Sequence, residues 1–108
     1  MLIFVSSPYR GDIERNVEKA KGYCQYVIAQ GHTPFAPHLL YPQLSDDDRA
    51  GIDMGLDVLV RCDEIWQFGG MTEGMIEEGH AALIHGLPVF ILTEDGRGGY
   101  DWVLVGGR

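Results

Sequence analysis

The sequence predicts an α/β protein, with a sheet of parallel strands covered by helices on both faces. Three observations carry this expectation. Short apolar runs alternate along the chain with longer segments of helical periodicity. The first run, Leu2-Ile3-Phe4-Val5, is apolar at every position, as in a strand buried on both faces. No internal repeat, low-complexity segment or linker divides residues 1–108, so a single domain is expected.

The elements follow in order. After the Leu2–Val5 strand, Ser6-Ser7-Pro8-Tyr9-Arg10-Gly11-Asp12 reads as a turn. A helix is expected from Ile13 to Gln30, because Val17, Ala20, Tyr23, Cys24, Val27 and Ile28 repeat with the 3.6 period, and Gly31 suits the position that ends it. Thr33 to Ala36 is a short second strand, and Pro37-His38-Leu39-Leu40-Tyr41-Pro42 a loop. Asp46-Asp47-Asp48 is an acidic helix start, favourable against the helix dipole, and the helix should continue to about Arg61. Asp63 to Phe68 is the third strand, Met75 to His85 the next helix, and Leu87 to Leu92 the fourth strand. The glycine-rich tail holds a last strand around Tyr100–Val105.

Composition narrows the function. A chain of 108 residues suits one domain that buries roughly two-thirds of its unfolded surface. Hydrophobic content of 45% and charged content of 22% are ordinary for a globular protein. The net charge of −8 argues against a nucleic-acid polymer as partner, since a phosphate backbone calls for a basic stripe. Half of the chain's eight Lys and Arg, namely Arg10, Arg15, Lys19 and Lys21, fall within the first 21 residues. Lys19 and Lys21 read as a solvated helix face with Glu14 and Glu18. Cys24 and Cys62 lie far apart in helical-looking segments and read as reduced core or near-core thiols. No apolar run approaches the ~20 residues of a membrane span. Met1–Val5 leads into a polar loop without a basic leader, so the expected location is cytoplasmic.

In a parallel sheet, ligands sit beyond the carboxyl ends of the strands. Three loops meet that description: Ser6–Asp12, Pro37–Gln43 and Gly69–Met75. The first offers the hydroxyls of Ser6, Ser7 and Tyr9, the guanidinium of Arg10 and the permissive Gly11. Arg10 can hold a phosphate or carboxylate in a bidentate fork, or simply pair with Asp12 or Glu14. The second loop brings His38. In the third, Gly69, Gly70 and Gly74 free the backbone, Thr72 can cap the following helix or donate to an anion, and Met75 shares a helix face with Glu78 and Ala82. A carboxylate on that face is partly shielded, which suits a raised pKa or a nucleophile, whereas Glu73 and Glu77 read as solvated neighbours. His32, His38, His80 and His85 show no metal-site spacing, so neither metal nor cofactor is expected.

Together these loops resemble a known family. Ser7-Pro8-Tyr9-Arg10-Gly11, Pro37-His38-Leu39-Leu40-Tyr41-Pro42, Cys62-Asp63-Glu64-Ile65-Trp66, and Gly74-Met75 with Glu78, Gly86 and Pro88 are similar to the nucleoside 2-deoxyribosyltransferase-like superfamily, and to an uncharacterised bacterial and phage branch of it in particular. The resemblance covers nearly residues 1–92. It implies a flavodoxin-like three-layer sandwich with a four- to five-stranded parallel sheet, and a homodimer or higher homo-oligomer. It also implies cleavage of the N-glycosidic bond of a nucleoside or nucleotide, with a glutamate attacking C1′ of the sugar. By the spacing to Ala82 and Gly86, that glutamate corresponds to Glu78. Thr72 falls where a hydroxyl favours a 5′-phosphate, which Arg10 and the Ser6–Ser7 turn would share. Phe4 stands where the catalytic relatives carry a tyrosine, and Gly55 where they carry a sugar-binding aspartate. Asp53 and Asp57 flank Gly55 on one helix face and are the candidates to replace it.

Three readings follow. The first is an N-glycosidase or deoxyribosyltransferase-like enzyme acting on a nucleoside 5′-monophosphate or related nucleotide. The second is a nucleotide-binding sensor or sponge without turnover. The third is a structural subunit with a vestigial crevice.

Overall fold

The computed structural model describes residues 1–107. Five strands form one sheet in the order β2-β1-β3-β4-β5, where β1 is Leu2–Ser6, β2 Thr33–Phe35, β3 Glu64–Phe68, β4 Val89–Glu94 and β5 Tyr100–Gly106. The first four strands are parallel to one another. The alternation of the chain with helices α1 (Ile13–Ala29), α2 (Asp48–Leu59) and α3 (Glu73–Ile84) completes a flavodoxin-like three-layer α/β architecture.

Side-chain alternation along β1 sorts the two cores. Ile3 and Val5 face α1, where they join Tyr23, Val27, Trp66 and Phe68. Phe4 faces the other way, into a second cluster with Leu59, Cys62, Ile65, Ala82 and Val89. Every residue of β3 is buried, as the apolar run predicts for a central strand. Ser6, two residues beyond Phe4, therefore emerges on the α2–α3 side at the carboxyl end of the sheet.

The local chemistry of the ends explains most boundaries. Asp12 caps α1 by accepting from the Arg15 N–H, and Gly31 (φ 88°) turns the chain out of it. Asp47 caps α2 through the N–H groups of Arg49 and Ala50, so the helix begins at Asp48 rather than with the whole acidic triplet. Helix α3 opens at Glu73, two residues before the periodic pattern becomes visible, because Thr72 caps it. Pro88 delays β4, which begins at Val89 rather than Leu87.

Three details differ from the sequence expectation. The segment after β2 is not open loop: Pro37–Leu39 and Tyr41–Gln43 are two short 3-10 turns, each started by a proline that presets φ. The last strand runs antiparallel to β4, because only a short glycine-rich turn, tightened by Asp95 accepting from the N–H groups of Arg97 and Gly99, separates the two. Cys62 lies in the turn after α2, not in the helix; it is buried, Cys24 is half-buried, and both are free thiols. Burial pushes each thiol up to about 11.

No helix among the described residues is long and apolar enough to cross a membrane.

Candidate active site

The strand order reverses direction between β1 and β3, which is where such sheets open a crevice. Here Ser6 of β1 pairs in register with Gln67 of β3, and both side chains are buried. Glu78 reaches down from α3 to meet them. The Ser6 hydroxyl donates to Glu78 Oε1 at 2.7 Å, and the Gln67 amide donates both to Ser6 Oγ at 3.2 Å and to the Met75 carbonyl at 2.7 Å. Glu78 is only 5% exposed. Its carboxyl is pushed up to about 7, first by burial and also by the charge of Glu77, against the lowering effect of the Ser6 hydrogen bond. A carboxyl half ionised near neutrality is a usable nucleophile or acid–base group.

A cavity of about 480 Å³ opens beside this cluster. It is lined by Tyr9 and Arg10 from the first loop, by Asp48, Arg49 and Ile52 from α2, and by Thr72, Glu73, Gly74 and Glu77 from the start of α3. Thr72 Oγ1 accepts from the Met75 N–H at 3.2 Å, which leaves its own proton for another acceptor. Ion pairs span the rim. Arg10 is bonded to Asp48 rather than to Asp12 or Glu14. Arg49 bridges Asp53 at 2.7 Å and Glu77 at 2.6 Å, so Glu77 is no idle neighbour: Arg49 holds its carboxyl below the ordinary value.

The second loop packs against the first. His38 Nε2 hydrogen-bonds the Ser7 carbonyl at 2.9 Å, and its ring stacks on Tyr9 with centroids 4.9 Å apart. Burial lowers the His38 pKa, although the Ser7 bond opposes this. Ser7 Oγ is the one fully buried side-chain polar atom without a hydrogen-bond partner among the described residues. Gly11 supplies the left-handed turn (φ 103°) into α1. Gly69 is also left-handed (φ 78°), and a Cβ there would lie 2.6 Å from the Tyr23 hydroxyl, so this position suits glycine.

The predicted residues therefore divide. Ser6, Glu78 and the Met75 backbone form the buried cluster; Tyr9, Arg10, Thr72 and Gly74 line the cavity; Ser7 and His38 bond to each other outside its lining and join the first loop to the second. Asp53 is exposed and engaged by Arg49 at the rim. Asp57, a turn further along α2, is exposed and does not line the cavity. Gln67 and Arg49 were not among the predicted site residues. Gln67 had a visible signal, a polar residue between the apolar Trp66 and Phe68 of a buried strand; Arg49 had none beyond its acidic surroundings.

Among the described residues, no group of three His, Cys, Asp or Glu side chains converges as a metal site would require.

The fold and crevice define the class: an α/β protein with the 2-deoxyribosyltransferase fold. The chain superposes on a 2-deoxyribosyltransferase of Bacillus psychrosaccharolyticus, described as a biocatalyst for nucleoside synthesis, with TM-score 0.68 and 20% identity, over 86% of this chain and 72% of that one. A 2-deoxyribosyltransferase of Leishmania mexicana gives TM-score 0.67 and 13% identity, over 87% of this chain and 65% of that one. The particular family is settled by sequence: residues 1–92 match the domain of unknown function DUF7768, and the chain belongs to that family. No curated protein matches it in sequence.

Proposed function

We propose that the protein cleaves the glycosidic bond of a (deoxy)nucleoside 5′-monophosphate or related nucleotide, by hydrolysis or by transfer to a second base, with Glu78 as the nucleophile. One observation carries this reading: a buried carboxyl, hydrogen-bonded by Ser6, sits at the switch point of a deoxyribosyltransferase fold, near a cavity whose lining mixes the hydroxyls of Tyr9 and Thr72 and the guanidinium groups of Arg10 and Arg49 with the carboxylates of Asp48, Glu73 and Glu77. In the reaction, the ionised Glu78 attacks C1′. The C1′–N bond breaks, its electron pair passes to the base, and the base takes a proton. Water or another base then displaces the sugar from the glutamyl ester. The attacking form is the ionised one, so base release should rise with pH through a midpoint near 7, following the raised Glu78 pKa. Incubation with a panel of nucleoside monophosphates, read as free base across pH 5–9, tests this. Equal release by wild type and Glu78→Ala would remove Glu78 from the reaction.

Arg10 and Thr72 are the phosphate contacts in this reading. Thr72 has a proton to donate, while Arg10 must exchange Asp48 for the phosphate. Asp48→Asn removes the competing carboxylate and one negative charge from the rim. It should tighten binding of a nucleoside monophosphate roughly threefold to tenfold, in line with the modest worth of an exposed ion pair, and leave binding of the free nucleoside unchanged. Calorimetric titration of both ligands checks this, and equal changes for the two would argue that no phosphate meets Arg10.

A second reading, nucleotide binding without turnover, is favoured by a specific observation. Glu78 does not itself line the cavity, and Asp53 at the rim is already bound by Arg49. It predicts a thermal shift with nucleotides and no free base.

A further inference from the structure

A polar glutamine, Gln67, stands in the fully buried strand β3 beside the Glu78 cluster. Gln67 is 3% exposed, and its neighbours in β3 are Trp66 and Phe68. A glutamine there is retained at the cost of desolvating an amide, so its hydrogen bonds must hold something in place. Its Nε2 reaches both the Met75 carbonyl, in the first turn of α3, and Ser6 Oγ. The Met75 contact fixes which end of the amide is the nitrogen, because a carbonyl oxygen accepts only from a donor.

This polarity has a consequence for Ser6. A hydroxyl oxygen that accepts from Gln67 keeps its own single proton for the one remaining acceptor within reach, Glu78 Oε1. Oε2 carries no hydrogen bond and is not sealed from solvent, since Ser7 Oγ alone is buried without a partner among the described side chains. We infer that Gln67 and Ser6 form a positioning relay, in which the amide orients the serine hydroxyl, the hydroxyl pins one oxygen of Glu78, and the other oxygen is left free to react. The inference rests on Glu78 being the reacting group, but the relay itself is a property of the free protein.

Gly79 fits the same arrangement. A Cβ at this position would lie 3.2–3.3 Å from the Gln67 amide, closer than ordinary contact, so the glycine leaves the amide the room it occupies. The charged surroundings of Glu78 are few. β1 and β3 bring only the uncharged Ser6 and Gln67, and its own helix brings Glu77, whose charge is held by Arg49 of α2. The Ser6 bond favours the carboxylate, opposing burial.

The test is a carbon-13 NMR titration of the Glu78 side-chain carboxyl in the ligand-free protein, assigned by its loss in Glu78→Gln. Ser6→Ala should move the midpoint upward by about one pH unit, the worth of a hydrogen bond to a charged group. Gln67→Met, which leaves Ser6 in place but frees its hydroxyl to rotate, should move it in the same direction by less. A midpoint unchanged in both variants would overturn the relay, as would a shift in Gln67→Met larger than in Ser6→Ala. The titration needs no turnover, so it stands even if no base is ever released. Where base is released, the rise of rate with pH should move by the same amount in Ser6→Ala, and an unmoved profile beside a moved titration would show that Glu78 is not the reacting group.

Discussion

Glu78→Gln should abolish base release and at the same time make the protein harder to unfold at pH 8. The loss of activity, at least ~10³-fold, follows from replacing an ionisable nucleophile by an amide that cannot form the glycosyl ester. The gain in stability follows from burial. Native Glu78 keeps its proton up to about pH 7, whereas the unfolded chain releases it near the ordinary 4.5. Between those values the native state binds more protons than the unfolded state, so stability falls as pH rises through the window and levels off above it. At pH 8 the folded protein carries a penalty of about 3 kcal/mol for the buried charge, and glutamine does not bear it. The amide oxygen can still accept from Ser6, so packing is kept. Urea unfolding of wild type and variant at pH 4.5 and pH 8 measures this directly. The two proteins should match at the lower pH and diverge at the higher. Parallel curves would mean that Glu78 is not buried as a charge.

The second large effect is a coupling between Phe4 and Gly55. Set beside the resembled catalytic relatives, these positions replace a tyrosine and an aspartate, and in the fold they touch: a Cβ on Gly55 would lie 3.8 Å from Phe4 Cζ, the tip of the ring, and 3.6 Å from Pro37 Cβ. Phe4 is fully buried. Phe4→Tyr alone therefore places a hydroxyl against apolar atoms, costing ~1–3 kcal/mol if it finds no partner. Gly55→Asp alone places a carboxylate in the same apolar gap, at a comparable or larger cost. Made together, the hydroxyl can donate to the carboxylate, and the double variant should recover ~1–3 kcal/mol relative to the sum of the single changes. Denaturation of the four proteins gives the coupling energy, and strictly additive costs would show that the two side chains do not meet. With neither a hydroxyl nor a carboxylate at these positions, Phe4, Gly55 and Pro37 make an apolar contact.

Much of this was legible in the chain. The alternation of apolar runs with helical periodicity predicts the layers, and the glycine-bearing loops predict the end of the sheet where the crevice opens, because both signals are local. Glu78 was legible from its helix face, shared with Met75 and Ala82, all three of which are buried. The direction of β5 was not, since strand pairing depends on a turn whose geometry is set by Asp95 and not by any pattern within the strand. The rim pairs were not legible either. Arg10 finds Asp48, thirty-eight residues away, and Arg49 finds Glu77, twenty-eight away. Such pairs are created by the packing of α2 against its neighbours, and sequence spacing favours the closer partners Asp12 and Glu14. Gln67 shows a third limit: a polar residue in a buried strand signals that something is held, but only the register Ser6↔Gln67 tells what.

The rim pairs have one more consequence. They tie α2 to the first loop through Arg10 and to α3 through Arg49, using side chains that are half exposed or more on the arginine side. The bond between Ser6 and Glu78 is buried, where salt screens much less. Screening shortens from about 8 Å at physiological ionic strength to about 3 Å at 1 M, so dissolved salt acts on the first set of contacts and spares the second. The grip on α2 thus answers to the surrounding medium, while the joint between sheet and α3 does not. In brine the crevice should breathe more widely around an unchanged chemical centre.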